Sequence, residues 1–207
     1  WQGFNEPIYT LINNEGLTEE QALDWLIDYE RELHRIITGM GKEVCLGNFK
    51  ESYPENLSSV AFKEYVDLAT NLDDAYLCVH EHEDSAANWE FGDRYNGRFT
   101  EINEDIGLPV LVTVMGIDSQ AGPTASSGVG YKDLGISDED YLDLLIEYNE
   151  EALNSGAKGV AVFQLGLGGW ESFDVASLIG LECAGAGGGS GSGSSSGGGS
   201  GSGGGSG

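Results

Sequence analysis

Basic residues are scarce in this chain: nine Lys and Arg stand against 35 Asp and Glu, for a formal net charge of −26. A surface of that sign repels phosphate backbones and anionic lipid, so neither nucleic acid nor a membrane is an expected partner. No apolar run approaches the roughly 18 residues that would make a candidate membrane-crossing helix. Cysteine is sparse as well. Cys45, Cys78 and Cys183 are too few, and odd in number, for a disulfide framework. Cys45 and Cys78 lie in apolar strand-like runs and are expected as buried thiols. Residue 1 is not Met and opens no signal peptide, so the chain reads as starting inside a longer sequence. Its acidity suits a secreted protein or one working in high salt, and the expected location is extracellular.

What is present divides into two parts. Residues 184–207 are almost entirely Gly and Ser, which bury no apolar surface and behave as a flexible, disordered tail or linker. Residues 1–183 carry the foldable sequence, and a 40% apolar content across the chain supports one core.

Within that part, short apolar runs alternate with longer amphipathic segments, the pattern of repeated βα units around a parallel sheet. A first strand ends over residues 1–6, and further strands are expected at 43–49, 75–82, 109–115 and 159–165. The helix over 18–40 is capped by Thr18 with Gln21 reaching back, is stopped at Gly41, and repeats Ala22, Leu23, Leu26, Ile27, Leu33, Ile36, Ile37 and Met40 on one face. Further helices are expected over 59–72, with Phe62, Val66 and Ala69 inward, near 94–106, and from a Ser137 cap to 154, with Tyr141, Leu144, Leu145, Tyr148 and Ala152 on one face. Five strands do not close an eight-stranded barrel, which takes about 250 residues.

In parallel α/β architectures the reactive groups stand at the carboxyl ends of strands. Here those ends bring Asn5-Glu6, Gly47-Asn48, His80-Glu81-His82, Thr113-Val114 and Gln164. Glu6 stands just before Pro7, where a glutamic acid with a raised pKa can protonate a leaving-group oxygen. His80 and His82 alternate onto one strand face and can both reach a metal, while Glu81 has the opposite parity. The only other histidine, His34, falls on an outer helix, so no metal or other cofactor is assigned. The Gly-rich run 165–169 matches neither phosphate-loop nor dinucleotide spacing.

The order of motifs resembles the clan A retaining glycoside hydrolases, in particular a cellulase-like branch. It rests on Trp1-Gln2-Gly3-Phe4-Asn5-Glu6-Pro7, Leu46-Gly47-Asn48-Phe49, Val79-His80-Glu81-His82, Arg94-Tyr95, Thr113-Val114-Met115-Gly116-Ile117-Asp118, Phe163-Gln164 and Trp170-Glu171-Ser172-Phe173-Asp174. The resemblance implies an α/β fold: a partial (β/α)8 barrel covering strands 4 to 8, with three βα units absent and a further domain or chain to complete it. It implies hydrolysis of O-glycosidic bonds with Glu6 as general acid/base. Asn5 would bind the sugar 2-hydroxyl, Asn48, His80 and His82 would line the site, and Trp170 would stack on a sugar face. The implied partner is a poly- or oligosaccharide.

The family pattern Thr-Glu-x-Gly on strand 7 is here Thr113-Val114-Met115-Gly116. Valine cannot attack an anomeric carbon or balance oxocarbenium charge, so activity is expected to be impaired. Three alternatives stay open: an inverting pair completed by Asp118, a non-catalytic carbohydrate-binding pseudoenzyme, and a metal-dependent hydrolase using His80 and His82.

Overall fold

The computed structural model describes residues 2–50, 53–83, 97–118, 129–163 and 171–178. Trp1, Trp89, Phe91, Arg94, Tyr95, Gln164, Trp170, Cys183 and the Gly/Ser tail lie outside the described residues. The architecture is α/β. Among the described residues, five α-helices, α1 (Pro7–Glu15), α2 (Glu19–Gly39), α3 (Val60–Ala69), α4 (Phe99–Ile106) and α5 (Asp138–Asn154), accompany four strands. The strands β1 (Val44–Phe49), β2 (Ala75–Glu83), β3 (Val110–Ile117) and β4 (Ala157–Val162) form one sheet in sequence order. All three strand pairs are parallel.

Helix boundaries follow local chemistry. Thr18 and Gln21 make the expected capping box on α2, and the Ser59 and Ser137 side chains accept from Phe62 N and Asp140 N to open α3 and α5. The α2 stripe is narrower than its periodicity suggested, because Ile36 and Met40 are exposed and Glu30 is buried in line with Leu23, Leu26, Ile27 and Ile37.

Residues 2–6 do not form the expected strand end. Gln2 makes a single parallel bridge to Cys45, and by Glu6 the chain has entered the left-handed region to cap α1, with Pro7 in its first turn. Helix α1 was not foreseen. Its proline suits the first helical turn, where an N–H would have no partner, and Gly16 at φ 69° ends it.

Side chains of alternating parity separate the two faces of the sheet. Val44, Leu46, Leu77, Val79, Val110, Val112, Met115 and Ile117 are almost wholly buried on one parity. Those of β2 and β3 join Leu23, Leu26, Phe62, Tyr65, Ile102 and Tyr148 of the helices in the core, and Val44 and Leu46 pack with Ile37 of α2 in a second cluster. The other parity carries Cys78, His80, His82 and Val114. The sheet thereby sends most of its buried apolar side chains to the helices, and its opposite face carries His80 and His82 at the carboxyl end beside Val114.

Cys45 and Cys78 are joined as a disulfide between the neighbouring strands β1 and β2, with Cα atoms 5.5 Å apart. This replaces the expected pair of free thiols: each residue was correctly placed in a buried strand, but their adjacency depends on register, which composition does not reveal. Under denaturing, non-reducing conditions one thiol per chain should titrate rather than three. Reduction of a link spanning 33 residues should lower the unfolding free energy by about 3–4 kcal/mol in a chain-entropy treatment, measurable by urea denaturation with and without reductant.

Candidate functional site at the strand ends

The carboxyl ends of β1 and β2 are tied to the segment that precedes α1. Gln2 Nε2 donates to Asn48 Oδ1 at 2.7 Å, and Glu6 Oε1 lies 2.9 Å from His80 Nδ1. His80 is 2% exposed and Asn48 is fully buried. His80 Nε2 and Asn48 Nδ2 have no hydrogen-bond partner among the described residues. Buried polar atoms are satisfied in the great majority of cases, so two such atoms at one set of strand ends mark a place where a further polar partner is accommodated.

Backbone geometry singles out the same residues. Among the described non-glycine residues only Glu6 (φ 45°), Asn48 (φ 46°) and Asp74 (φ 55°) have positive φ. Left-handed backbone at non-glycine residues costs on the order of 1 kcal/mol or more and persists where surrounding structure imposes it. At Asn48 the imposition is visible. The β1–β2 register shifts between Gly47 and Phe49, so Asn48 is the bulged residue, and Gly47 itself has φ 84°. A Cβ at Gly47 would lie 3.2 Å from the Cys78 carbonyl oxygen, so glycine is required there both by space and by conformation.

Electrostatics at Glu6 differ from the expectation for a general acid. Burial by itself raises its pKa, but the His80 hydrogen bond and the nearby charges of His80, Lys50 and His82 outweigh burial and hold it below the usual carboxylate value. Glu6 is therefore an anion at neutral pH. Lys50, at the end of β1, also sits 4.4 Å from the Tyr9 ring centroid.

Val114 pairs in register with His80, and Gly116 with His82, so all four share one face of the sheet. The position expected to carry a nucleophile is thus beside the Glu6–His80 pair, and it holds a branched hydrocarbon. His82 is partly buried and meets the Phe163 ring edge-on at 5.9 Å. Asn5 is exposed, and it is Asn48, not Asn5, whose amide is bonded within the cluster. Asp118 directly follows β3. Trp170 lies outside the described residues. No group of three or more His, Cys, Asp or Glu with metal-binding geometry occurs among the described residues. No helix among them is long and apolar enough to cross a membrane.

Two buried carboxyl groups support the site from behind. Glu30 of α2 accepts from Gly47 N at 2.6 Å and from the Tyr65 hydroxyl at 2.9 Å. Glu81, between His80 and His82 but facing the helices, accepts from Gly97 N at 2.7 Å, from Phe99 N at 2.9 Å and from the Tyr148 hydroxyl. It does for the start of α4 what the Arg98 side chain, which makes no cap, does not. Burial raises Glu30 to about 8 and Glu81 to about 7, the latter offset partly by its hydrogen bonds and by Arg98. Glu30 was not singled out from the sequence, although an acidic residue within the apolar stripe of α2 is a usable signal. Glu81 was noticed only for its parity, which continues that of Leu77 and Val79.

No family model, curated protein or solved structure matches the chain.

Two outcomes follow. In His80→Ala, Glu6 loses the hydrogen bond and charge of His80, keeps Lys50 and His82 nearby and remains partly buried, so its carboxyl 13C titration should move upward from below the ordinary glutamate value. Second, Glu30 and Glu81 bind protons more tightly folded than unfolded, so stability falls as pH rises from about 4.5 through about 7 to 8. Urea midpoints at fixed ionic strength should decline over that window, and the double variant Glu30→Gln, Glu81→Gln should flatten the decline.

Proposed function

We propose that the chain is a glycoside hydrolase-like protein that binds a poly- or oligosaccharide at the Glu6, Asn48 and His80 cluster and turns it over poorly or not at all. The observation that carries this reading is the ionisation of Glu6 beside Val114. A retaining glycosidase needs one carboxylic acid held protonated and a second carboxylate about 5 to 5.5 Å away. Here the groups acting most strongly on Glu6 are cationic or imidazole side chains, and its register neighbourhood offers Val114. An anion hydrogen-bonded to His80, beside a buried amide donor on Asn48, suits recognition of sugar hydroxyls by acceptance and donation better than proton transfer to a leaving group.

The wider architecture supports the same lineage. Parallel strands in sequence order, with polar groups gathered at their carboxyl ends, are what a segment of a (β/α)8 barrel would have. A parallel sheet is ordinarily covered on both faces. Here partly exposed Tyr76, Leu111, Thr113 and Val114 lie along the sheet, and a further domain or chain supplying additional βα units would cover them. With its acidic surface the protein would work outside the cell.

A metal-dependent reading through His80 and His82 receives less support, because His80 Nδ1 is engaged by Glu6 and the described residues supply no third ligand.

The test is restoration of the missing carboxylate. Val114→Glu should raise hydrolysis of an aryl β-glycoside at least a hundredfold over the unmodified chain, since loss of one member of a catalytic set costs on the order of 10⁴ or more. No gain in a folded Val114→Glu protein would count against the assignment of position 114.

A further inference from the structure

Asn48 offers its Nδ2 donor from a conformation that its own backbone disfavours, at φ 46° and with no exposure. What holds it there is outside the site. The Gly47 N–H, freed from the strand ladder by the bulge, is bound by Glu30 from α2, and the second Glu30 oxygen is bound by Tyr65 from α3. Glu30 thus connects two helices to the one turn of backbone that aims Asn48.

We propose that Glu30 is the positioning residue for Asn48, and that the proton on Glu30 regulates how the Asn48 amide is presented to a ligand. In the neutral acid, one oxygen accepts from Gly47 and the other shares a single hydrogen bond with the Tyr65 hydroxyl, and no charge is buried. Loss of the proton leaves a full charge with two donors. Around it, α3 contributes Tyr65 and β1 contributes the Gly47 N–H, and among the described residues no Lys, Arg or His acts on its charge state. A buried charge matched only by neutral donors is costly, and its release is movement toward water. That movement draws on the Gly47 N–H and loosens the bulge, so Asn48 loses its fixed orientation. Burial places the change near pH 8, since Glu30 is raised to about 8.

The positioning claim is independent of the ligand, whereas the regulatory claim rests on the carbohydrate reading above. The experiment therefore has two arms. In the first, the Asn48 side-chain amide resonances of the ligand-free protein are followed by 1H–15N NMR from pH 6 to 9.5. A single transition near pH 8 in the unmodified protein, absent in Glu30→Gln, is expected. Glu30→Gln retains a carbonyl acceptor for Gly47 but has no proton to lose. Glu30→Ala should show loosened Asn48 resonances already at pH 6, and rescue by Gln but not Ala separates positioning from a general loss of fold. Resonances flat with pH, or a transition that persists in Glu30→Gln, overturn the proposal.

In the second arm, cellotetraose is titrated at pH 6.5 and 9. Affinity should fall roughly three- to tenfold, the worth of about one hydrogen bond, in the unmodified protein and stay constant in Glu30→Gln. Equal affinity at both pH values in the unmodified protein overturns the regulatory part. An Asn48 transition with no cellotetraose binding at any pH leaves the positioning role standing and overturns the carbohydrate reading together with the regulation built on it.

Discussion

A carboxylate withdrawn from water must be matched by donors or cations, and three glutamates of this chain meet that demand differently. Glu6 is matched by His80 with Lys50 and His82 nearby, so its charge is retained. Glu30 is matched by one backbone N–H and one phenol, with no cation, so it holds its proton. Glu81 stands between them, with two backbone N–H groups, Tyr148 and Arg98. From these three settlements follow the path of residues 2–6, the bulge of β1 and the start of α4. Each links segments distant in sequence: Glu6 to His80, Glu30 to Gly47, Glu81 to Gly97.

The chemistry open to the site follows from the same balance. An acid catalyst is poised by burial and by a neighbouring anion, both of which favour the proton. Glu6 has the burial but is surrounded chiefly by groups that favour the charge. Position 114, in register with His80, adds no anion. The cluster is therefore organised to accept and donate hydrogen bonds. His80 Nε2 and Asn48 Nδ2 are buried in it without a hydrogen-bond partner among the described residues.

Much of the fold was legible in the sequence because its signals are local. The caps at Thr18, Ser59 and Ser137 act within three residues, and the four strands are short apolar runs flanked by turns. Helix α1 escaped notice although Ile8, Leu11 and Ile12 stand at helical spacing and pack on the core, because the period is only one turn and directly follows a motif that reads as a strand end. Ile36 and Met40 match the helical period of α2 yet are exposed, since periodicity identifies a face but not how far along the helix that face is covered. At the site, the shared face of His80 and His82 follows from strand alternation. The Glu6–His80 bond, by contrast, spans 74 positions, and the Cys45–Cys78 link depends on strand register. Neither has a local signature. Glu30 was not singled out, because nothing nearby in sequence announces that Gly47 needs an acceptor.

The central claim is that the Glu6, Asn48 and His80 cluster receives a saccharide as an anionic, hydrogen-bonding site without cleaving it. Chemical-shift mapping of the unmodified protein with a soluble oligosaccharide, followed in the same tube for released reducing ends, tests it most directly. The account predicts perturbations concentrated at His80 and the Asn48 amide, with no product. Rapid product release, or perturbations confined to surfaces away from these strand ends, would contradict it.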